Sequence, residues 1–414
     1  MYKIYFKQAL EMLKQNKFIS IITIAGTALA ITMIMVIIVT ESIKNTSIAP
    51  EVNRNRTMYI KHEIKKSKDG SSWSMGSLYY KTYKEYLSEL ATPEYISVVK
   101  KYVAMATTEG NPELQQVGYC ASDYNYWKIM SFSFVEGKPF TNEDFDSGLK
   151  KVVLSESTAH SLFGNNPALG KTVEVDFIPY TVTGIVKDVS PVFTFAQAEI
   201  YLPITSLEEY EGGACSLLLV AKDKDDFNTI AEEVRAQERK FNATSADENL
   251  TILGPYDHKT QILNTKAEEP DAAGENRKMI FIFCVLLLIP AVNLSSFSLS
   301  RIKKRTEEIG IRKAFGAKRH VILFQVLYEN FITSITGGVI GLILSYIVVI
   351  WLKEWLLNLG DESSIPLETF ISLPVFLGVF IVCLLLNMLS AGIPAYRASK
   401  ISIVDSINQN HQQP

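Results

Sequence analysis

The stretch Ser300–Arg319 reads SRIKKRTEEIGIRKAFGAKR and lies between two strongly apolar segments. Lys and Arg concentrate in the cytoplasmic loops that adjoin membrane spans, so this dense basic run predicts a cytoplasmic loop. The run also carries Glu307, Glu308, Gly310 and Gly316 in an ordered pattern. A charged anchor needs no such order, and we therefore expect the run to do more than fix the topology of the chain.

Apolar segments of about 20 residues mark the candidate membrane spans on both sides of this run. They cover residues 18–39, 279–299, 331–352 and 372–393. The first contains no charged residue, and a charge at the centre of a span costs roughly 2.5–3.5 kcal/mol. Because its apolar run is longer than that of a signal peptide and no small-residue cleavage site follows it, we expect it to be retained as a helix.

The distribution of Lys and Arg predicts the side of the membrane on which each connection lies. Four lysines precede the first span, so residues 1–17 are predicted to be cytoplasmic, as are the segment 300–324 and the tail 394–414. Residues 40–278 and the short loop 353–371 are then external. The segment 1–17 has one apolar helical face and one rich in lysine, which predicts an amphipathic helix on the inner leaflet or, alternatively, a helix packed on protein.

The external residues 40–278 predict an α+β domain of two subdomains. Strand, helix and strand patterns follow one another near the start and again near the end, where a helix is expected over 225–240. A β-rich insert over about 119–205 separates these split β-α-β units. The Gly/Ser-rich stretch DGSSWSMGS at 69–77 predicts a flexible loop.

The external segment shows no motif of a catalytic or metal site. Net charge is −3 over 414 residues, which does not indicate a nucleic-acid partner. The stretch GNNPALGKT at 164–172 resembles a phosphate loop but has five residues between its glycines rather than four, so we interpret it as a tight turn. Cys120 and Cys215 could pair in an oxidising compartment, although their spacing favours neither outcome. Three external histidines lack metal-ligand spacing: His62, His160 and His258.

Small residues in the third span predict close packing of two helices. Gly337, Gly341 and Ser345 recur at intervals of four residues. This small-xxx-small spacing allows two helix backbones to approach one another closely. The contact could join two copies of the chain or lie within a single chain, and the sequence favours neither.

The basic run resembles the signature of a known family of membrane proteins. Residues 305–317 match the pattern R-T-x-E-I-G-I-R-x-A-x-G-A of MacB/FtsX-type ABC transporter permeases. The segments Phe134–Phe145 and Val152–Val175 resemble the periplasmic domain of that family. The segment Pro394–Ile407 resembles its C-terminal tail, except that Ile403 stands where the tail usually has proline.

This resemblance implies a stand-alone permease subunit in the bacterial inner membrane, with both termini cytoplasmic and a large periplasmic domain. A separate ABC ATPase would bind and hydrolyse ATP, so we expect this chain to bind no cofactor and to catalyse no reaction. Further implied partners are a second permease copy, a periplasmic adaptor and an outer-membrane channel. The expected function is efflux or export of a periplasmic client; the alternatives are regulation of a cell-wall hydrolase or sensor through transmitted motion, and lipoprotein release.

By the same resemblance, the cytoplasmic segment 300–324 receives motion from the ATPase. The charged residues would form ion pairs with it, but an exposed ion pair contributes only about 0–1 kcal/mol. Docked apolar side chains must therefore contribute as well, and the glycines would permit tight turns or close approach of the backbone. The residues expected to act in this coupling are Arg305, Glu307, Glu308, Ile309, Gly310, Ile311, Arg312, Lys313, Phe315 and Gly316.

Overall fold

The computed structural model describes residues 17–357 and 373–400, apart from Gly110, Glu209 and Arg305. Residues 1–16 of the predicted interfacial helix, most of the loop 353–371 and two thirds of the tail 394–414 lie outside the described residues. The chain divides into two compact units. We call them the helical unit (Met1–Glu41, Ala273–Lys353 and Pro366–Pro414) and the α+β unit (Ser42–Ala272 and Glu354–Ile365).

All strands of the described residues lie in the α+β unit, and the longest helices begin or end outside it. The helices are α1 Lys17–Asn45, α2 Tyr80–Thr82, α3 Asn125–Ile129, α4 Asn142–Asp146, α5 Glu156–Phe163, α6 Phe227–Thr244, α7 His258–Leu263, α8 Ala272–Lys304, α9 Thr306–Ala314, α10 Arg319–Leu357 and α11 Leu373–Lys400. The strands are β1 Thr57–Ile60, β2 His62–Ser67, β3 Trp73–Tyr79, β4 Tyr95–Thr108, β5 Asn111–Ser122, β6 Phe134–Gly137, β7 Lys151–Ser155, β8 Thr172–Val175, β9 Ile178–Val186, β10 Ile200–Pro203, β11 Ala214–Val220 and β12 Glu248–Leu253.

Three helices of the described residues are long and apolar enough to cross a membrane. The spans are Ser20–Asn45 in α1, Arg319–Leu352 in α10 and Leu377–Arg397 in α11. They overlap the first, third and fourth of the predicted spans. The second predicted span, 279–299, is helical as part of α8, and its crossing of a membrane stays a prediction.

The helices α1 and α10 pack closely at the small residues of α10. A Cβ added at Gly341 would lie 2.6 Å from the carbonyl oxygen of Ala28, and one added at Gly337 would lie 2.9 Å from Cβ of Thr27. The hydroxyl of Thr32 donates to the carbonyl oxygen of Gly341 at 3.0 Å. Only glycine allows this approach, so the structure places both glycines in a helix contact within one chain. Ser345, also buried, donates to the carbonyl oxygen of Leu342 at 2.7 Å within α10.

One sheet of twelve strands forms the framework of the α+β unit. Its order is β12-β2-β3-β11-β4-β5-β10-β7-β9-β6, with β1 on β11 and β8 on β4 and β9. The strands of the predicted insert occupy one end of this order, but they continue the sheet through β5. The expected helix near the end of the unit is α6, which buries Ile230 and Val234.

The Gly/Ser-rich stretch 69–77 is not entirely the loop that the sequence predicts. A turn covers its first residues, and β3 begins at Trp73. The register of β3 with β2 pairs Trp73 with Lys66 and Ser77 with His62. Ladder hydrogen bonds with β2 thus hold a segment whose own serines and glycines favour turns.

The remaining short motifs have structural explanations. In the stretch 164–172, Gly164 ends α5 with φ 62° and Gly170 forms a turn with φ 76° before β8, as the tight-turn interpretation expects. Cys120 and Cys215 are free thiols buried in β5 and β11. Burial raises the pKa of the Cys120 thiol to about 11.

Candidate functional site

The predicted coupling segment is a short helix between two long ones, rather than a loop. The helix α9 covers TEEIGIRKA and is followed by a turn before α10 begins. Its acidic residues Glu307 and Glu308 lie in the first turn, and its basic residues Arg312 and Lys313 lie in the last. This order complements the helix dipole, because negative charge is favoured at the N-terminus and positive charge at the C-terminus. The ordered charges of the sequence therefore stabilise a helix.

The two glycines of the segment have different roles. Gly316 adopts φ 92°, and its N–H donates to the carbonyl oxygen of Lys313 at 2.9 Å while Ala317 donates to that of Arg312 at 3.0 Å. This pair of bonds is a Schellman motif, in which glycine avoids the strain of a left-handed residue. Gly310 forms no turn, because it is buried in the middle of α9.

The apolar residues of α9 divide between an inner and an outer surface. Ile309 is buried in a cluster with Ile302 and Ile322, so it holds α9 within the helical unit. In contrast, Ile311 is 55% exposed and Phe315 is 90% exposed. An exposed pair of large apolar side chains beside a helix end is a feature of surfaces that dock another protein.

Two basic side chains of α9 bind it to its neighbours. Arg312 donates to Glu308 Oε1 at 2.5 Å and to Gln325 Oε1 of α10 at 2.8 Å. Lys313 donates to the carbonyl oxygen of Ser399 near the end of α11 at 2.8 Å, and desolvation lowers its pKa. The helix is thus fixed along one side and presents Glu307 and the exposed apolar pair along the other. Arg305 lies outside the described residues.

A buried arginine closes the C-terminal end of α1, at a site that sequence reasoning missed. Arg54 is only 2% exposed. Its Nη1 donates to the carbonyl oxygens of Ile43, Lys44 and Thr46 at 3.0–3.3 Å. The last carbonyl groups of a helix have no partner within the helix. Arg54 supplies that partner within the α+β unit, which begins at Ser42 and therefore includes the last turn of α1.

The same guanidinium joins the end of α1 to the distant segment 192–196. Its Nη2 donates to the carbonyl oxygen of Val192 at 2.7 Å, and its Cζ lies 4.7 Å from the ring centroid of Phe193. Its Nε donates to Glu51 Oε2 at 2.6 Å. The other oxygen of Glu51 accepts from the amides of Phe195 and Ala196 at 2.9 and 3.0 Å. Both charged groups are therefore buried with their hydrogen bonds made.

A histidine attaches a third segment to the end of α1. His258, at the start of α7, lies with Nε2 2.9 Å from the carbonyl oxygen of Lys44. Its Nδ1 has no hydrogen-bond partner among the described residues. Burial and the nearby Arg54 lower the pKa of His258, so the neutral ring donates through Nε2. Tyr59 stacks on Phe195 at 4.8 Å and tilts against His258 at 5.8 Å.

We call the residues Glu51, Arg54, His258 and 192–196 the junction. They bind the last turn of α1 through side chains that are far apart in sequence. A signal for Arg54 exists in the sequence NRNR at 53–56, since a basic residue soon after a helix end can bind its last carbonyls. No sequence spacing links Arg54 to His258. Among the described residues there is also no group of three or more His, Cys, Asp or Glu side chains that could hold a metal ion.

Comparison with known proteins gives two family matches that together cover most of the chain. The model of the MacB-like periplasmic core domain matches residues 20–237, and the model of the FtsX-like permease C-terminal region matches residues 280–403. Similar proteins include two uncharacterized ABC transporter permeases of Bacillus subtilis, YvrN and YknZ. Each is 24% identical; the matches cover 69% of this chain and 68% of YvrN, and 68% of this chain and 67% of YknZ.

A longer relative and two solved structures complete the comparison. The macrolide export ATP-binding/permease protein MacB of Chromobacterium violaceum is 24% identical over 74% of this chain, which spans only 47% of that protein. The periplasmic region of MacB from Actinobacillus actinomycetemcomitans is 19% identical with a TM-score of 0.37, covering 51% of this chain and 94% of that one. The extracellular domain of YknZ from Gram-positive bacteria is 18% identical with a TM-score of 0.38, and the match covers 48% of this chain and 100% of that domain.

Proposed function

The chain belongs to the family of ABC transporter permeases that join a MacB-like periplasmic core domain to an FtsX-like permease region, and we propose that it transmits ATP-driven motion to its α+β unit. A separate cytoplasmic ATPase binds and hydrolyses the ATP. The chain crosses the bacterial inner membrane with both termini in the cytoplasm and the α+β unit in the periplasm. The transmitted motion drives efflux or export of a periplasmic client.

The helix α9 is the proposed docking site for the ATPase. Burying a Phe or Ile side chain contributes about 1.5–3 kcal/mol, which exceeds the contribution of an exposed ion pair. Ile311 and Phe315 therefore supply most of the affinity, and Glu307 supplies charge complementarity. Because Ile309, Arg312 and Lys313 hold the helix to its neighbours, a push on α9 moves those neighbours with it.

The junction is the proposed output of that motion. The single observation that carries this role is that one buried side chain, Arg54, hydrogen-bonds both the end of α1 and the segment 192–196. The Arg54–Glu51 part of the junction has its hydrogen bonds made and is therefore rigid, because a lost bond leaves a desolvated polar group. Displacement of the last turn of α1, which belongs to the α+β unit, then moves the segment 192–196 with it.

The assembly proposed around this chain has several members. Two permease copies pair with two ATPase subunits, and a periplasmic adaptor and an outer-membrane channel complete an export route. The rival functions, regulation of a cell-wall hydrolase or sensor and lipoprotein release, use the same transmission. They differ from export in the client, so identification of the protein or small molecule bound outside the membrane separates them.

The input is tested by truncating the exposed apolar pair of α9. We expect Ile311→Ala with Phe315→Ala to weaken binding of the co-encoded ATPase by about 150-fold or more, since two side chains at about 1.5–3 kcal/mol each contribute roughly 3–6 kcal/mol. Thermal stability should not change, since both side chains are exposed. Tyr102→Ala, which removes a 70% exposed aromatic from the α+β unit, is the matched control. Equal ATPase affinity in the double variant and the control would contradict the assignment.

The output is tested without knowledge of the client. In the full complex in nanodiscs, addition of a non-hydrolysable ATP analogue should change amide hydrogen exchange in the segment 192–196. The Ile311→Ala, Phe315→Ala variant should lose that change. If nucleotide leaves exchange throughout the α+β unit unaltered while the ATPase is bound, the chain does not transmit motion and the proposal fails.

A further inference from the structure

The strand β3 has an open edge along residues 73–77. It pairs with β2 over its length, but with β11 only at Leu78 and Tyr79. The N–H of Leu78 donates to the carbonyl oxygen of Lys61, just before β2, and the N–H of Ser67 donates to the carbonyl oxygen of Ser72. Hydrogen-bonded pairs alternate in an antiparallel ladder. The N–H and C=O groups of residues 73, 75 and 77 therefore point away from β2, where no described strand pairs with them.

The end strand of the same sheet shows how an edge is closed in this protein. The amide of Leu250 in β12 donates to Asn242 Oδ1 at 2.6 Å, and the carbonyl oxygen of Leu250 accepts from Asn242 Nδ2 at 2.9 Å. The amide of Ile252 donates to Glu238 Oε2 at 2.9 Å. Two side chains of α6 thus occupy the outward groups of β12, which prevents another strand from pairing there.

The edge of β3 lacks every such protection among the described residues. No described side chain bonds to the outward main-chain groups at 73, 75 and 77, and the sequence WSMGS carries neither charge nor proline. Trp73 is 66% exposed and Met75 is 38% exposed. Natural proteins avoid open, apolar edges because such edges pair with other chains. An edge that is kept open while β12 is closed indicates a use for pairing.

An open groove of about 490 Å³ adjoins this edge. Its lining combines the aromatic rings of Trp73 and Tyr79 with charges of both signs on Lys65, Lys81, Glu211 and Glu248. Side chains of an added strand alternate between the two faces of the sheet. One set would lie beside Trp73 and Met75, and the other set would lie beside Ser74; both Trp73 and Ser74 line the groove.

We propose that residues 73–77 of β3 accept an extended segment of a second protein as an additional strand. Main-chain hydrogen bonds at Trp73, Met75 and Ser77 supply the affinity, as in other cases of strand addition to a sheet edge. The segment alternates apolar residues, which pack on Trp73 and Met75, with long charged residues, which fill the groove. This inference concerns the α+β unit alone and holds whether or not ATP drives the chain.

A second copy of this chain fits the edge less well than a foreign segment. Antiparallel self-pairing about Met75 would place Ser74 and Gly76 of the copy on the groove side. These side chains are too small to reach Lys81, Glu211 and Glu248, so the groove would stay unfilled. A segment with Lys and Glu at alternate positions matches the mixed charge of the lining.

The test uses the full chain in nanodiscs and a synthetic ten-residue peptide in which valine alternates with lysine and glutamate. Amide exchange is followed by mass spectrometry with single-residue fragmentation. Without peptide, the amides of 73, 75 and 77 should exchange quickly, and that of Leu78 slowly. Peptide should slow the first three by at least tenfold in a saturable manner. Absence of protection at millimolar peptide overturns the proposal.

Two variants separate main-chain pairing from side-chain contact. Met75→Pro removes one outward N–H at a position where an edge strand tolerates proline, and it should weaken peptide binding at least tenfold, whereas Met75→Leu should not. The Leu78 amide reports whether β3 stays formed in Met75→Pro. A peptide whose amides facing β3 are N-methylated should also fail to bind. If it binds as tightly as the unmethylated peptide, the proposal is overturned. Protection that grows with protein concentration without peptide would show self-pairing and also overturn it.

Discussion

Replacement of Arg54 by methionine tests how much the junction contributes to the free energy of unfolding of the α+β unit. The substitution keeps an apolar stem of similar length but removes all five hydrogen bonds of the guanidinium. Glu51 keeps its two bonds from backbone amides, but its charge stays buried without a partner. Removal of one member of a buried ion pair costs about 3–5 kcal/mol. Of the three carbonyl groups, that of Lys44 retains a partner in His258 and that of Ile43 in the amide of Thr46, so we expect a total loss of about 4 kcal/mol.

The measurement is the free energy of unfolding of the α+β unit in the full chain. Urea titration in mild detergent, followed by a short pulse of thermolysin, reports the unfolded fraction at each concentration. Adding Glu51→Gln to Arg54→Met removes the stranded charge and should recover about 2 kcal/mol. This recovery distinguishes an electrostatic cost from a loss of packing.

The matched control is Arg56→Met. Arg56 pairs with Glu94 and also donates to Asn53 Oδ1 and to the carbonyl oxygen of Ala221. Because Arg56 and Glu94 are both about one-third exposed, water can replace the lost partners, and the substitution should cost only about 1 kcal/mol. If Arg54→Met costs no more than Arg56→Met, the junction is not a tightly bound element. If Glu51→Gln recovers nothing, the assignment of the cost to a stranded buried charge is wrong.

Three further predictions concern the turn, the helix contact and pH. Gly316→Val should lower the free energy of unfolding of the helical unit by about 1–2 kcal/mol, because φ is positive there; Gly316→Asn should cost less, and equal stability of all three would contradict the Schellman assignment. Gly341→Leu should cost about 1–3 kcal/mol by overpacking against α1, measured as thermal stability in detergent, whereas Gly378→Leu, where a Cβ meets nothing within 4 Å, should be near neutral. Burial lowers the pKa of His258, so its contribution to stability is complete above about pH 6.5 and is lost as pH falls through the lower pKa of the folded state. His258→Asn should remove this pH dependence in the urea titration, and an unchanged slope would sink the idea.

Much of the architecture could be predicted from local features of the sequence. Runs of apolar residues mark the helices that the structure finds long enough to cross a membrane, and the apolar stripe of α6 predicts a helix on a sheet. The family predicted from residues 305–317 is confirmed by matches over 20–237 and 280–403. These features are readable because each depends on neighbouring residues or on a fixed period.

Predictions went wrong where tertiary contacts outweigh local preference. The Ser/Gly-rich residues at 73–77 form a strand because β2 supplies a ladder. The predicted coupling segment is helical, and Ile309, predicted with Ile311 and Phe315 to dock on the ATPase, is instead buried against α10. The sequence alone does not separate Ile309 from Ile311 and Phe315, because the exposure of each side chain depends on which helices pack on α9.

The family, three of the apolar spans and the charge order that stabilises α9 can be read from consecutive residues. Which side chains meet depends on how distant segments pack in the fold. Arg54, Glu51 and His258 are separated by up to 207 positions, yet they enclose the same helix end. The open edge of β3 and the closed edge of β12 were equally invisible, because a strand edge is defined by the strands that are not beside it.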